Sequence, residues 1–164
     1  MKKLWSVKNG LYPVMLALIV IIGVLSGCAG KDAETSKQLS ATQIGISIEQ
    51  FVSLKEMKKA DLNKLQKLYK IDVDSVDDFI LYTSISNVKA DELAVIKMKD
   101  ESQAESVEEN IKQRIEAQKM KFQDYRPNEY FLVENHVLKT AGPFVFFAVS
   151  KEADQMERAF DHAF

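Results

Sequence analysis

Apolar positions along this chain follow three successive spacings, and each spacing predicts a different kind of element. From Leu11 to Leu25 they are almost continuous and aliphatic. From Ile44 to Tyr69 they recur at helical intervals. Ser47 can cap a helix with Ile48, Phe51, Val52 and Met57 on one side, and Asp61 can cap another with Leu62, Leu65, Leu68 and Tyr69. Asp72 to Asp78 is an acidic, turn-like stretch, after which the period shortens. Phe79 to Ser86 (FILYTSIS) is β-branched and aromatic, and Leu93 to Lys99 (LAVIKMK) alternates from Ala94 onward, with Asn87 to Asp91 as the loop of a hairpin.

Helical spacing returns from about Ser102 to Tyr125. There Ala104, Val107, Ile111, Ile115 and Phe122 form one stripe, and Glu105, Glu108, Glu109, Lys112 and Lys119 stay outside it. Pro127 suits the first position of a short helix that Asn135 ends. A second hairpin follows, from His136 to Thr140, through Ala141-Gly142-Pro143, and on to Phe144–Val149. The run from Phe144 to Val149 is apolar on both faces, so it belongs in the centre of a sheet between two covering layers. Met156, Ala159, Phe160, Ala163 and Phe164 close the chain as a core-facing helical stripe. The resulting order is α-α-β-β-α-α-β-β-α. It predicts an α+β fold: a four-stranded antiparallel sheet made of two hairpins, with amphipathic helices packed on it.

The continuous apolar segment has another meaning. Lys2 and Lys3 precede it, residues 9–30 carry no charge, and Leu25-Ser26-Gly27-Cys28 ends it. That layout reads as an export signal. Leu25, Ser26 and Gly27 before the chain's single cysteine resemble the lipobox of bacterial lipoproteins. The resemblance implies cleavage before Cys28 and acylation of its sulfur. An uncleaved membrane helix, since about 20 apolar residues span a bilayer, and a soluble secreted form are the alternatives. On the lipoprotein reading, residues 1–27 are a signal peptide, 28–43 carry the lipid and a flexible tether, and 44–164 form a single domain. The tether would reach about 20 Å root-mean-square. The expected location is the cell membrane, lipid-anchored and facing outside the cytoplasm.

Charge narrows the list of partners. Without residues 1–27 the chain has 137 residues, with 19 basic against 24 acidic, a net charge of −5. Nothing in that balance suits nucleic acid, and membrane contact rests on covalent lipid at Cys28 rather than a basic patch. With that cysteine acylated, disulfides are excluded.

Candidate chemistry is sparse. The cluster Asp72, Asp74, Asp77, Asp78 fails the spacing of a helix-loop-helix calcium loop, because Val76 and Asp77 stand where an oxygen ligand and a glycine are needed. His136 and His162 have no histidine at helical spacing, so no metal site is expected, and no cofactor is implied. There is no nucleophile elbow and no glycine-rich phosphate loop. The span from about Ile48 to the C-terminus resembles lipoproteins that carry domain of unknown function 4358. The marks are Asp91-Glu92 opening ADELAVIKMKD, the polar helix after it, Tyr125-x-Pro127-x-Glu129, and the final hairpin NHVLKTAGPFVFFAVS. That resemblance implies an exported domain and no particular activity.

One polar groove is worth expecting, built from Asp91, Glu92, Tyr125 and Glu129, because the last two follow the helix that returns from the strand opened by the first two. The reading is a lipid-anchored module that binds an unknown protein or small molecule at the cell surface. A cell-envelope hydrolase using a carboxylate pair is the rival. A substrate receptor of an import system is disfavoured, since 137 residues barely form the two lobes that such receptors close on a ligand.

Overall fold

The computed structural model describes residues 39–164. The expected signal peptide, the lipobox Leu25-Ser26-Gly27, Cys28 and most of the expected tether lie outside them. In chain order the elements are α1 (Ala41–Phe51), β1 (Met57–Lys59), α2 (Leu62–Tyr69), β2 (Val76–Ser84), β3 (Glu92–Met98), α3 (Ala104–Phe122), α4 (Pro127–Glu134), β4 (Val137–Ala141), β5 (Phe144–Val149) and α5 (Ala153–Asp161). Short 3-10 turns at Val73–Ser75 and Glu101–Gln103 precede β2 and α3.

The class is α+β around one antiparallel sheet, but the sheet has five strands rather than four, in the order β1-β2-β3-β5-β4. The extra strand is β1. It pairs Met57, Lys58 and Lys59 with Ser84, Thr83 and Tyr82. Three residues are too few to show a period, so Met57 reads from sequence as the end of a helical stripe. The element order therefore becomes α-β-α-β-β-α-α-β-β-α.

The first helix also begins earlier than expected. Ser40 accepts from the backbone N–H of Gln43 at 3.0 Å, and the Gln43 side chain accepts from the Ser40 N–H at 2.9 Å. This reciprocal box satisfies two of the helix's orphan donors. Asp78 takes a third, the Thr42 N–H, at 2.9 Å, which fastens the helix start to the sheet. Residues 41–43 are thus helix and not tether. The buried stripe is Ala41, Ile44 and Ile48, which leaves Phe51 outside at 62% exposure. Gly45 sits where the helix crosses β2. A Cβ there would stand 2.8 Å from the Ile80 Cδ1 atom, closer than real contacts allow.

Every residue of β5 is buried, and β5 lies between β3 and β4. Phe144, Phe146 and Ala148 face one core with Ile80, Leu93 and Val95, which α1 and α5 cover through Ile44, Ile48, Met156 and Phe160. Val145, Phe147 and Val149 face the other core with Leu81, Ala94 and Ile96, which α2, α3 and α4 cover. The sheet is the middle layer of three. Fully burying side chains of this size contributes roughly 1.5–3 kcal/mol each. Phe164, expected in the last stripe, is 41% exposed, yet its ring packs edge-on against Phe144 and Phe160 at 5.4 and 5.1 Å between centroids.

The turn joining β4 to β5 is Gly142-Pro143, with Ala141 paired to Phe144. Gly142 has φ +55°, as a two-residue hairpin loop requires at its first position.

Gly45→Ala is expected to lower unfolding free energy by about 1 kcal/mol in chemical denaturation, because overpacking outweighs the better helix propensity. In an Ile80→Val background, which removes the 2.8 Å contact, the same change should be neutral or stabilising.

Candidate functional site

Glu92 is the first residue of β3 and is 2% exposed. In register it lies beside Thr83 of β2, which lies beside Lys58 of β1, so one cross-strand row carries all three on the face covered by α2 and α3. A carboxylate taken from water at this depth costs several kcal/mol unless its oxygens are engaged. Here both are. The Tyr69 hydroxyl, at the end of α2, donates to Oε1 at 2.7 Å. Arg114 of α3 donates from Nη2 to Oε2 at 2.8 Å and from Nε to Oε1 at 3.4 Å, and Gln118 donates from Nε2 to Oε2 at 3.0 Å. Arg114 and Gln118 are four residues apart, so one turn of α3 presents both. Among the described residues no buried side-chain polar atom lacks a partner.

Burial, with the Glu92 carboxylate beside it, pushes the Tyr69 hydroxyl well above its ordinary 10.0. For Arg114, burial acts to lower the guanidinium, but its bond to Glu92 and that charge outweigh it, so its proton is held more tightly than in a free arginine. The cluster is one saturated network that ties α2, β3 and α3 together.

A second acid stakes the neighbouring loop. Glu129, in the first turn of α4, is 6% exposed. It accepts from the Ala90 N–H and from Lys89 Nζ, each at 2.9 Å. From the other side Lys121 Nζ donates to the Asn87 carbonyl at 2.7 Å. The β2–β3 loop is thereby pinned to α3 and α4. Asp91, half-buried next to it, has its carboxyl raised above 3.8, first by burial and then by the Glu129 charge.

Beside this network, between α2, α3 and the pinned loop, a groove of about 320 Å³ opens. Asp91, Glu92, Thr83, Lys58, Arg114 and Lys121 are among the residues that line it. Of the four residues expected to form a polar groove, Asp91 and Glu92 line it, and Glu129 adjoins it through Ala90 and Lys89. Tyr125 does not line it. It sits in the turn between α3 and α4 at 85% exposure. Sequence reading missed Arg114 and Gln118, although the polar spacing Arg114, Gln118, Lys121 beside the stripe Ile111, Ile115, Phe122 was a usable signal.

The acidic stretch at 72–78 is a capped turn: the Asp72 side chain accepts from the Asp74 N–H at 3.0 Å. The His136 ring donates from Nδ1 to the Val133 carbonyl at 2.7 Å, and His162 caps the end of α5. Among the described residues no group of three or more His, Cys, Asp or Glu could hold a metal ion, and no helix is long and apolar enough to cross a membrane.

Arg114→Met should lower stability by roughly 3 kcal/mol in chemical denaturation, because it strands the buried Glu92 charge. Adding Glu92→Gln should recover most of that loss, a recovery that a merely damaged helix would not show. Asp91 supplies a test in pH. Its folded carboxyl keeps its proton to higher pH than the free side chain, so its stabilising contribution is fully present below pH 3.8 and is lost as pH rises through the folded value. Asp91→Asn is therefore expected to raise the unfolding midpoint at neutral pH and to leave it unchanged below pH 3.8.

Comparison with known proteins finds no match among curated proteins and none among solved structures. A family model does match, over residues 50–150, from the end of α1 to just past β5. That span holds the whole sheet, the Glu92 network and the groove. The chain belongs to the family described as Domain of unknown function (DUF4358).

Proposed function

We propose that this chain is a lipid-anchored, extracytoplasmic binding module: acyl chains on Cys28 hold it at the outer face of the membrane, and the groove beside Glu92 takes a partner at the cell surface. The observation that carries the binding half is the saturated network. Glu92 has four donors around its two oxygens and is fixed by three helical side chains, so it acts as scaffold for a preformed concavity. A rigid groove of a few hundred Å³ with convergent polar groups is the ordinary form of a small-ligand site. The anchoring half is supported by the lipobox resemblance at Leu25 to Cys28 and by the −5 charge of the remaining chain, which offers an anionic bilayer no electrostatic grip.

One observation favours the rival, a hydrolase acting on a cell-envelope polymer. Asp91 lines the groove with its carboxyl raised by burial and by Glu129, which is how a general acid is prepared. If that chemistry operates, Asp91→Asn abolishes turnover of the polymer.

In membrane fractionation the natural chain should sediment with membranes through a high-salt wash, and Cys28→Ser should move to the soluble fraction. Equal sedimentation of the two would overturn the anchoring. Reproducible release of wall-polymer fragments by the purified chain, lost in Asp91→Asn, would overturn binding in favour of hydrolysis.

A further inference from the structure

Residues 39–164 contain 17 Lys and Arg side chains against 22 Asp and Glu. Their distribution is far from even. The groove is lined by five of the cations, Lys58, Lys64, Lys89, Arg114 and Lys121, and by only two of the acids, Asp91 and Glu92. An acidic domain thus concentrates positive charge in a concavity with a buried polar floor. Low-dielectric walls around such a cluster focus its field on whatever enters.

The engagements of these groups sharpen the picture. Glu92 and Arg114 neutralise each other, so the pair adds little net charge of either sign and the excess comes from the lysines. Lys89 is paired with Glu129, and Lys121 is held by the neutral Asn87 carbonyl, which leaves its charge uncompensated. The side-chain ammonium groups of Lys58 and Lys64 have no hydrogen-bond or ion-pair partner among the described residues, nor does the second amino nitrogen of Arg114, Nη1. Lys58 stands in the cross-strand row next to Thr83, and Lys64 lies on the first turn of α2, so the open donors come from three separate elements that border one hollow.

From this arrangement we infer that the groove binds a phosphate-bearing small molecule, held by Lys58, Lys64, Lys121 and the free edge of Arg114. The inference rests on the binding reading above and deepens it by naming the ligand class. Phosphate is favoured over carboxylate by the donors that remain. A carboxylate is best met by a planar guanidinium fork, and the fork of Arg114 is spent on Glu92. What is left is a set of point-charge ammonium groups converging from several directions. They suit a compact multivalent oxyanion, which carries close to two charges and several acceptor oxygens. The volume, about 320 Å³, leaves room for more than a bare ion.

The test is isothermal titration calorimetry of the full-length chain in a non-ionic detergent, at constant ionic strength, with inorganic phosphate, pyrophosphate, glycerol phosphate and acetate as probes. Saturable binding of at least one phosphate compound and none of acetate is expected. Pyrophosphate as the better ligand would assign a free phosphorylated molecule, and glycerol phosphate a lipid-type headgroup, and either supports the inference. Lys58→Met/Lys64→Met should weaken binding roughly tenfold or more, in line with the loss of hydrogen bonds to charged groups. Asp91→Asn should tighten it. Lys112→Met/Lys119→Met removes the same charge from the outer side of α3 and should change binding less than twofold at a screening length of about 8 Å. No saturable binding of any phosphate compound, equal binding of acetate, or equal weakening in the two double variants would overturn the inference. Fractionation of Cys28→Ser is unaffected by all of these outcomes, so the anchoring stands or falls separately.

Discussion

Six consecutive residues, Phe144 to Val149, are buried on a strand whose side chains alternate between two faces. Such a strand cannot sit at an edge or under a single layer of helices, because one face would leave large aromatic and aliphatic groups in water. That requirement for two covers organises the molecule. It places β5 inside the sheet, brings α1 and α5 onto Phe144 and Phe146, and brings α2, α3 and α4 onto Val145 and Phe147. The face of Phe144 and Phe146 is covered by the first and last helices of the described residues, and the capping box at Ser40 and the Asp78 bond to Thr42 fasten the start of α1 over it.

The Glu92 network is a consequence of the same layering. Where α2 and α3 close over the sheet, the first residue of β3 is a glutamate rather than an apolar group, and its burial is tolerated because three side chains from two helices converge on it. A leucine at that position would cover the sheet with less risk, since an apolar substitute often matches a buried ion pair in stability. What the charged network adds is geometry: it sets the distance between α2 and α3, and it leaves the outer edge of Arg114 facing a hollow. The adjoining loop is pinned from both sides by Glu129 and Lys121. The wall of the groove is therefore built from satisfied polar groups, and the open donors are the side chains of Lys58 and Lys64 and the Nη1 edge of Arg114.

Much of this fold was legible in the sequence, and the reasons differ by element. Pro127 and Asn135 bracket a helix because each has a backbone conformation that suits its end, and the structure shows Pro127–Glu134. The stripe Ala104, Val107, Ile111, Ile115, Phe122 is buried as its spacing implies. The misses are equally physical. Strand β1 has three residues and exists only because β2 offers them a partner. The start of α1 lay hidden in a polar stretch, where Ser40 and Gln43 look like tether until they are seen to satisfy each other. At the site, Asp91 and Glu92 drew notice as acids beside a strand. Arg114 and Gln118 carry no mark of their role in the sequence, because polar residues at i and i+4 look the same whether they point to water or to a buried carboxylate. Tyr125 shows the opposite error, since nearness in sequence to the returning helix did not bring its ring to the groove.

By itself the sequence determined what is local: the helical and alternating periods, the turn at Gly142, the apolar strand that demands two covers, and an acidic domain free of disulfides. Tertiary structure alone decided which distant residues meet. Tyr69, Glu92, Arg114 and Gln118 span about 50 positions, and five cations gather in a chain rich in acids, because helix docking angles and strand register bring them together. Those quantities depend on packing against partners remote in the chain, and no window of residues contains them.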